Sequence, residues 1–288
     1  MRLFLNILIS SLIQGGIYAL IAVGLNLQYG VARVLNVSHG EFVMIGAFIT
    51  YGMYVVLKID PLVSLVVCGP VMLLMGLFIY KFLFHYLRKS SESEATFEGT
   101  SMLVSFGLLY VIQNIALLWF GTKLRAYSYL AYGIRFWGLT FEVNRLVALL
   151  FAVAISIAFY LVLMRTRTGR AIRAAAQSST SAQLVGVNIH KVLALCFGLG
   201  AMLAGLAGCL VSMMQEITAT MGFSYMIIAL IVIVLGGLGN IIGSFVGGLI
   251  LGLITTTVMY FEPELTLVAS YTIFALILWL RPQGILGK

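Results

Sequence analysis

Charge is what this sequence has least of. Asp, Glu, Lys and Arg make up only 9% of its 288 residues, while 62% are hydrophobic. A soluble domain carries about 25% charged residues, so a chain this poor in charge cannot cover its own surface in water. Its solvent is largely lipid. A water-soluble catalytic domain needs on the order of 100 residues, and no polar stretch of that length is present. Cysteine is scarce too. Cys68, Cys196 and Cys209 are far apart in apolar runs, which fits lone buried thiols and excludes a disulfide framework or a metal-ligand spacing. The chain also lacks a Gly-x-x-x-x-Gly-Lys-Ser/Thr phosphate loop, so it has no nucleotide cradle of that kind.

What it has instead is long apolar runs. They fall at 3–28, 37–57, 61–84, 99–120, 145–164, 191–214, 223–238, 241–260 and 265–281. They lack the alternation of a membrane barrel, and open sheet edges do not survive in lipid. The expectation is an all-α, polytopic transmembrane bundle with 1–288 as one domain. The seventh and eighth runs are short or Gly-interrupted, so they read as two spans or one broken span, giving eight or nine in all. Met1-Arg2 before a long apolar run superficially resembles a signal peptide, but the run is long and more spans follow, which favours a retained first helix.

The net charge of +8 lies in short loops, where it orients the protein against anionic lipid rather than marking a nucleic-acid partner. The 165–190 connection carries Arg165, Arg167, Arg170 and Arg173, with Lys191 just beyond, and no acid. The positive-inside rule makes it cytoplasmic. Counting outward puts the N-terminus outside, and the C-terminus with Arg281 and Lys288 inside. The 121–144 connection is then external despite Lys123, Arg125 and Arg135.

Within the basic loop, Ala171 to Ala176 favours helix, Gln177 to Thr180 interrupts it, and Gly186-Val-Asn188 reads as a turn. One or two short surface helices follow. They are either a lipid-facing basic stretch or a docking element whose small alanines allow close approach and whose arginines offer forks for carboxylates.

Ser38-His-Gly-Glu41 has the spacing of a capping box that opens the second helix. That helix starts either at the interface, as nearby Arg33 favours, or inside the membrane. In the second case its N-terminal N–H groups would face a solute carboxylate. His39 and Glu41 are costly in lipid and must face protein, water or solute. His39 has no neighbouring His or Cys to share a metal. Glu41 has no partner acid that would make it a proton carrier. Gln113 and Asn114, inside an apolar run, are interhelical hydrogen-bonding or pore-lining groups. Gly239, Gly243 and Gly247 recur every four residues, with Gly248 and Gly252 as a second pair, and both sets suit close helix packing. Gly198, Gly200, Gly205 and Gly208 read the same way.

Several segments together carry a resemblance. They are Gly15-Gly-Ile-Tyr-Ala-Leu, Asn36-Val-Ser-His-Gly-Glu41, Ser105-Phe-Gly-Leu, Gln113-Asn114, Arg165-Thr-Arg-Thr-Gly-Arg-Ala-Ile-Arg-Ala, Leu184-Val-Gly-Val-Asn188, Leu235-Gly-Gly-Leu-Gly239 and Arg281-Pro-Gln-Gly-Ile-Leu-Gly. In this order the chain resembles LivH-type permeases of branched-chain amino acid ABC transporters, nearly end to end. The resemblance implies a type II-like ABC importer permease in a bacterial inner membrane, with branched-chain or similar small amino acids as cargo. It implies a related second permease, two cytoplasmic ATPases and an external solute-binding protein as partners. This chain would bind no cofactor and do no covalent chemistry, since ATP is used by the partners. Asn36, Ser38, His39, Gly40, Glu41, Gln113 and Asn114 would line the solute path. Gly169, Arg170, Arg173, Ala174, Leu184, Gly186 and Asn188 would couple to the ATPases. The chain departs from the family pattern at Gln177-Ser-Ser-Thr-Ser181, Asn240 and Val37-Ser38.

Two other classes fit less well. An ion-gradient-driven transporter or channel for small polar solutes would use intramembrane acids or histidine chains, and this chain is poor in them. An intramembrane enzyme would need a catalytic pair at one depth, and His39 and Glu41, two residues apart, point in different directions.

Overall fold

The computed structural model describes residues 2–136, 139–281 and 283–287. Met1, Pro282 of the C-terminal motif and Lys288 lie outside the described residues. The nine apolar runs become helices α1 (Arg2–Ala32), α2 (His39–Val55), α3 (Pro61–Ile79), α5 (Glu94–Phe120), α6 (Val143–Arg165), α9 (Ile189–Ser212), α10 (Met221–Gly236), α11 (Ile241–Phe261) and α12 (Thr266–Leu280). A π-helical segment, Tyr80–Phe84, carries α3 into the short α4 (His85–Ser90). The basic loop folds into α7 (Arg167–Gln177) and α8 (Ser179–Leu184).

Seven of these helical stretches are long and apolar enough to cross a membrane. Helices α2 and α10 are not: they have 17 and 16 residues, about 25 Å at 1.5 Å per residue, against a hydrocarbon core of about 30 Å. The seventh and eighth runs are two helices rather than one broken span. The chain reverses between them through Gly237 (φ 105°) and Gly239 (φ 81°), a left-handed backbone that glycine adopts without strain.

The connection after α5 is not one of the apolar runs from which the sequence excludes strands. It holds an antiparallel hairpin, β1 (Gly133–Phe136) with β2 (Leu139–Glu142), in which Gly133 pairs with Glu142. The hairpin lies outside the apolar runs, where edge groups can meet water.

The core gathers around α1 and α9. Helix α2 lies on α9 with Gly46 against the backbone of Gly205 and Gly208 against the backbone of Val43, and α3 joins it where Gly76 meets Gly198. A methyl group at any of these glycines would meet backbone atoms or packed side chains. On α11 the glycines form two faces: Gly243 and Gly247 lie against α10, while Gly248 and Gly252 lie against Ala19 and Gly15 of α1. Gly239 precedes α11 and belongs to the turn, so it is not on a helical face with Gly243 and Gly247. Helices α5 and α12 present mostly exposed apolar surface.

The bundle has two distinct ends. At one, Arg88 donates to the carbonyl of Ala32 at 3.0 Å and pairs with Glu94, and α7 and α8 lie beside the end of α6. At the other, the 121–132 segment packs over the end of α2 and the α2–α3 connection, with Tyr54 donating to the Ser128 carbonyl at 3.2 Å and Tyr129 donating to Asp60 at 3.0 Å; the hairpin follows it and leads into α6. There Arg125 and Ile217 form a bridge in both backbone directions.

Candidate solute path and docking loop

Asn36, Ser38, His39 and Glu41 are 0% exposed. Ser38 is the N-cap of α2, but its hydroxyl makes no cap hydrogen bond. It donates instead to the Asn36 side-chain oxygen at 2.6 Å, which also accepts the Ser38 N–H at 3.2 Å. The capping box expected over Ser38–Glu41 is therefore not formed. Asn36 has taken the serine hydroxyl, and the Glu41 carboxyl turns away from the helix start. The Asn36 amide donates to Gln28 Oε1 at 3.1 Å, and Gln28 donates to the Phe197 carbonyl at 3.0 Å. This short network ties α1, the α1–α2 connection and α9 together. Ser105 of α5 closes it from the side by accepting the Val37 N–H at 3.0 Å.

His39 points into α1. Its Nε2 lies 3.0 Å from the Ile21 carbonyl and its Nδ1 lies 3.2 Å from Gln28 Oε1. Glu41 points the other way, to α10. Its two oxygens are buried and have no hydrogen-bond partner among the described residues. They lie flat on Gly222, the second residue of α10: a Cβ there would sit 2.5–2.6 Å from the Glu41 carboxyl atoms. Gly40 in turn faces the backbone of Gly222 and Met226. The first turns of α2 and α10 thus meet inside the protein, glycine on glycine.

Beside the start of α10 is a cavity of about 420 Å³ lined by Gln14, Tyr18, Arg145, Gln215, Thr255 and Thr256, among others. Tyr225 of α10 donates to Gln215 at 3.0 Å, so α10 forms part of its surroundings.

The basic loop is built by its own caps. Thr166 Oγ1 accepts the Gly169 N–H at 3.0 Å, Ser178 Oγ accepts the Ser181 N–H at 3.1 Å and Asn188 Oδ1 accepts the Lys191 N–H at 3.1 Å. Helix α7 buries Gly169, Ile172 and Ala175 along one face, while Ala174 is half-buried. Arg170 is exposed; Arg173 is not free in the same way. Its guanidinium donates to the Leu163 carbonyl in the last turn of α6 and contacts Met164 Sδ at 3.2 Å. Of these two arginines only Arg170 is exposed. A helix C-terminus offers bare carbonyls and a negative dipole end, and Arg173 satisfies them. Past α8 the chain turns at Gly186 (φ 83°), leaving Leu184 84% and Val185 77% exposed at the tip.

The family model for the permease component of branched-chain amino acid transport systems matches residues 7–278. The chain belongs to this family. It is 31% identical to the high-affinity branched-chain amino acid permease BraD of Pseudomonas aeruginosa, over 99% of this chain and 96% of that one. The same identity and coverage hold for the permease LivH of Escherichia coli. In fold it is similar to a solved structure of PsaBC from Streptococcus pneumoniae in complex with Fab, with a TM-score of 0.50, 10% identity, and 95% and 91% of the two chains covered. The chain is a multi-pass membrane permease component, a transport subunit rather than an enzyme.

Within this permease the structure gathers Asn36, Ser38 and His39 around Gln28 of α1 and sets Gly40 and Glu41 against Gly222 of α10. Gln113 and Asn114 join neither group. Asn114 is exposed and donates to Tyr110 of its own helix at 2.8 Å, so it is not an interhelical partner within this chain. Sequence reasoning missed Gln28, Asn26 and Gly222. The first two carry the same signal that singled out Gln113, a carboxamide inside an apolar run. Gly222 stands in a weakly marked helix start and has no such signal.

Proposed function

We propose that this chain is the membrane-spanning permease of an ABC importer that moves branched-chain or similar small amino acids across a bacterial inner membrane. The observation that carries the proposal is the pair of short helices, α2 and α10, whose first turns meet in the interior while the basic loop projects an apolar tip at one end. Transporters place such half-helix starts where a solute's charged groups must be met in a low-dielectric medium.

The basic loop end is cytoplasmic on the positive-inside rule, with the N-terminus outside and the C-terminus inside. Two ATPase subunits bind and hydrolyse ATP and dock over Arg170, Leu184, Val185, Gly186 and Asn188. Force on α7 passes to α6 through Arg173 and Gly169, and force on the α8 tip passes to α9 through the Asn188 cap. Helix α9 bears on α2 through Gly205 and Gly208, so docking-loop motion reaches the α2–α10 junction through rigid, close-packed elements. The exposed apolar faces of α5 and α12 meet lipid or a related second permease. An external binding protein delivers the solute at the hairpin end.

The test is isolation of the chain from native membranes in mild detergent, with its companions identified by mass spectrometry and then reconstituted in vesicles. ATP-dependent leucine uptake by a complex containing phosphate-loop ATPases and a second permease is the expected result. Recovery of the chain alone, with uptake driven by an ion gradient and indifferent to ATP, would overturn the proposal.

A further inference from the structure

A carboxyl group without a hydrogen bond, 0% exposed and inside a membrane bundle, requires a physical reason. The reason for Glu41 lies in what surrounds it. It belongs to the first turn of α2 and rests on the first turn of α10. Each helix start carries roughly half a positive elementary charge. Two such ends brought together repel, and a carboxyl carried by one and laid on the first turn of the other offsets that repulsion. At α10 the donors are also available. The N-cap Thr220 makes no side-chain cap, and the N–H groups of Gly222 and Phe223, in the first turn of α10, have no acceptor among the described residues. The spot therefore joins one unpartnered carboxyl to a pair of unpartnered donors. Phe223 and Ser224 are exposed beside it.

We infer that Glu41 and the first turn of α10 form one zwitterion-selective site, in which Glu41 receives the α-ammonium of an amino acid and the free N–H groups of α10 receive its carboxylate. This rests on the importer reading given above and names the group that sorts the cargo by charge. In this closed form, the Glu41 carboxyl occupies the α10 turn that the solute's carboxylate would take. When a solute separates the two helices, its carboxylate replaces Glu41 on α10 and its ammonium pairs with the displaced Glu41. An α-amino acid adds no net charge, so the balance among two helix ends and one carboxyl is kept. A hydroxy acid of the same shape brings a second negative charge beside Glu41 with no ammonium to offset it, and is rejected. Gly222 is required because any side chain there would stand where the carboxyl lies.

The experiment measures melting of the intact permease–ATPase complex in nanodiscs, without the binding protein, against increasing L-leucine or its hydroxy-acid counterpart, 2-hydroxyisocaproate. Leucine should raise the melting temperature of the wild type and the hydroxy acid should not. In Glu41→Gln the apparent affinity for leucine should fall about ten- to hundredfold, the loss expected of a hydrogen bond to a charged group, while the hydroxy acid becomes a stabiliser. Glu41→Asp keeps the charge at a shorter reach. It should bind leucine more weakly but still prefer it, which keeps the test open if the Gln variant does not assemble. Equal shifts by the two solutes in the wild type, no shift by leucine, or an unchanged preference in the Gln variant would each overturn the inference. ATP-driven leucine uptake by the wild-type complex with its binding protein is measured in parallel. Uptake with a failed shift pattern removes the site alone, whereas absence of uptake removes the importer reading.

Discussion

Asn26 of α1 accepts the backbone N–H of Gly239 at 2.6 Å and donates to the carbonyl of Asn240 at 2.9 Å. One carboxamide thereby satisfies the tight turn that reverses the chain between α10 and α11. The same amide also reaches Ser244. Asn26 is only 1% exposed, so water has little access to replace these bonds.

Asn26→Ala should therefore destabilise the protein by roughly 1–3 kcal/mol for each buried group left bare. Thermal unfolding in nanodiscs is the measurement. A melting temperature within error of the wild type would show that the turn holds without Asn26.

Two glycines of α2 should respond oppositely to the same change. Gly46→Ala puts a methyl group into the backbone of Gly205, so α2 and α9 must separate; at Gly52 no atom lies within 4 Å of the place a methyl group would take. Gly52→Ala should be neutral or stabilise by about 0.5–1 kcal/mol through helix propensity, while Gly46→Ala should lower the yield of folded protein. Equal melting temperatures for the two variants would contradict the close packing.

The two arginines of α7 should also separate. Arg170→Glu should reduce ATPase stimulation in the assembled complex with the permease's own melting unchanged, since Arg170 is exposed. Arg173→Glu should lower the melting temperature of the permease by itself, because it replaces a donor to the end of α6 with a negative charge at a negative helix end. Identical behaviour of the two variants would mean that the α6 cap is without energetic weight.

Tyr129 offers a pH test at the hairpin end. Partial burial, followed by its hydrogen bond to Asp60 and that residue's charge, pushes its phenol up to about 12 from an ordinary 10. The folded state holds the neutral phenol more firmly than the unfolded chain does. Its contribution is therefore fully present below pH 10 and is lost as the pH rises through about 12. Other buried tyrosines also titrate late, so the check is a difference: phenolate absorbance near pH 12 should lose one tyrosine's amplitude in Tyr129→Phe. If the amplitude there is unchanged in the variant, the assignment to Tyr129 is wrong.

The positions of the nine helices were legible because lipid imposes long apolar runs, and the short helices of the basic loop were legible because Ala favours helix while Ser, Thr and Gly break it locally. Features that depend on a distant partner were not legible. Ser38 and Glu41 have the spacing of a capping box, yet Asn36 competes for the serine and Gly222 accommodates the carboxyl, and neither outcome is written in the local sequence. Arg173 reads as free until α6 is placed beside it. Asn114 shows the same limit from the other side: a carboxamide in an apolar run announces a need for a partner, and within this chain it finds only its own helix. The hairpin was hidden because its eight strand residues, four in each strand, carry no long pattern.

The close seating of α2 on α9 has a consequence for the order in which the chain is made. The Cys209 thiol reaches the Gly46 carbonyl across 163 residues of sequence. Until the ribosome has delivered α9, a short second helix has no groove in which to settle, and its cluster of polar groups must be tolerated by the insertion machinery. Biogenesis of this protein should therefore pass through a long-lived, protease-sensitive intermediate, and truncation before α9 should leave the first half of the chain to the quality-control proteases of the membrane.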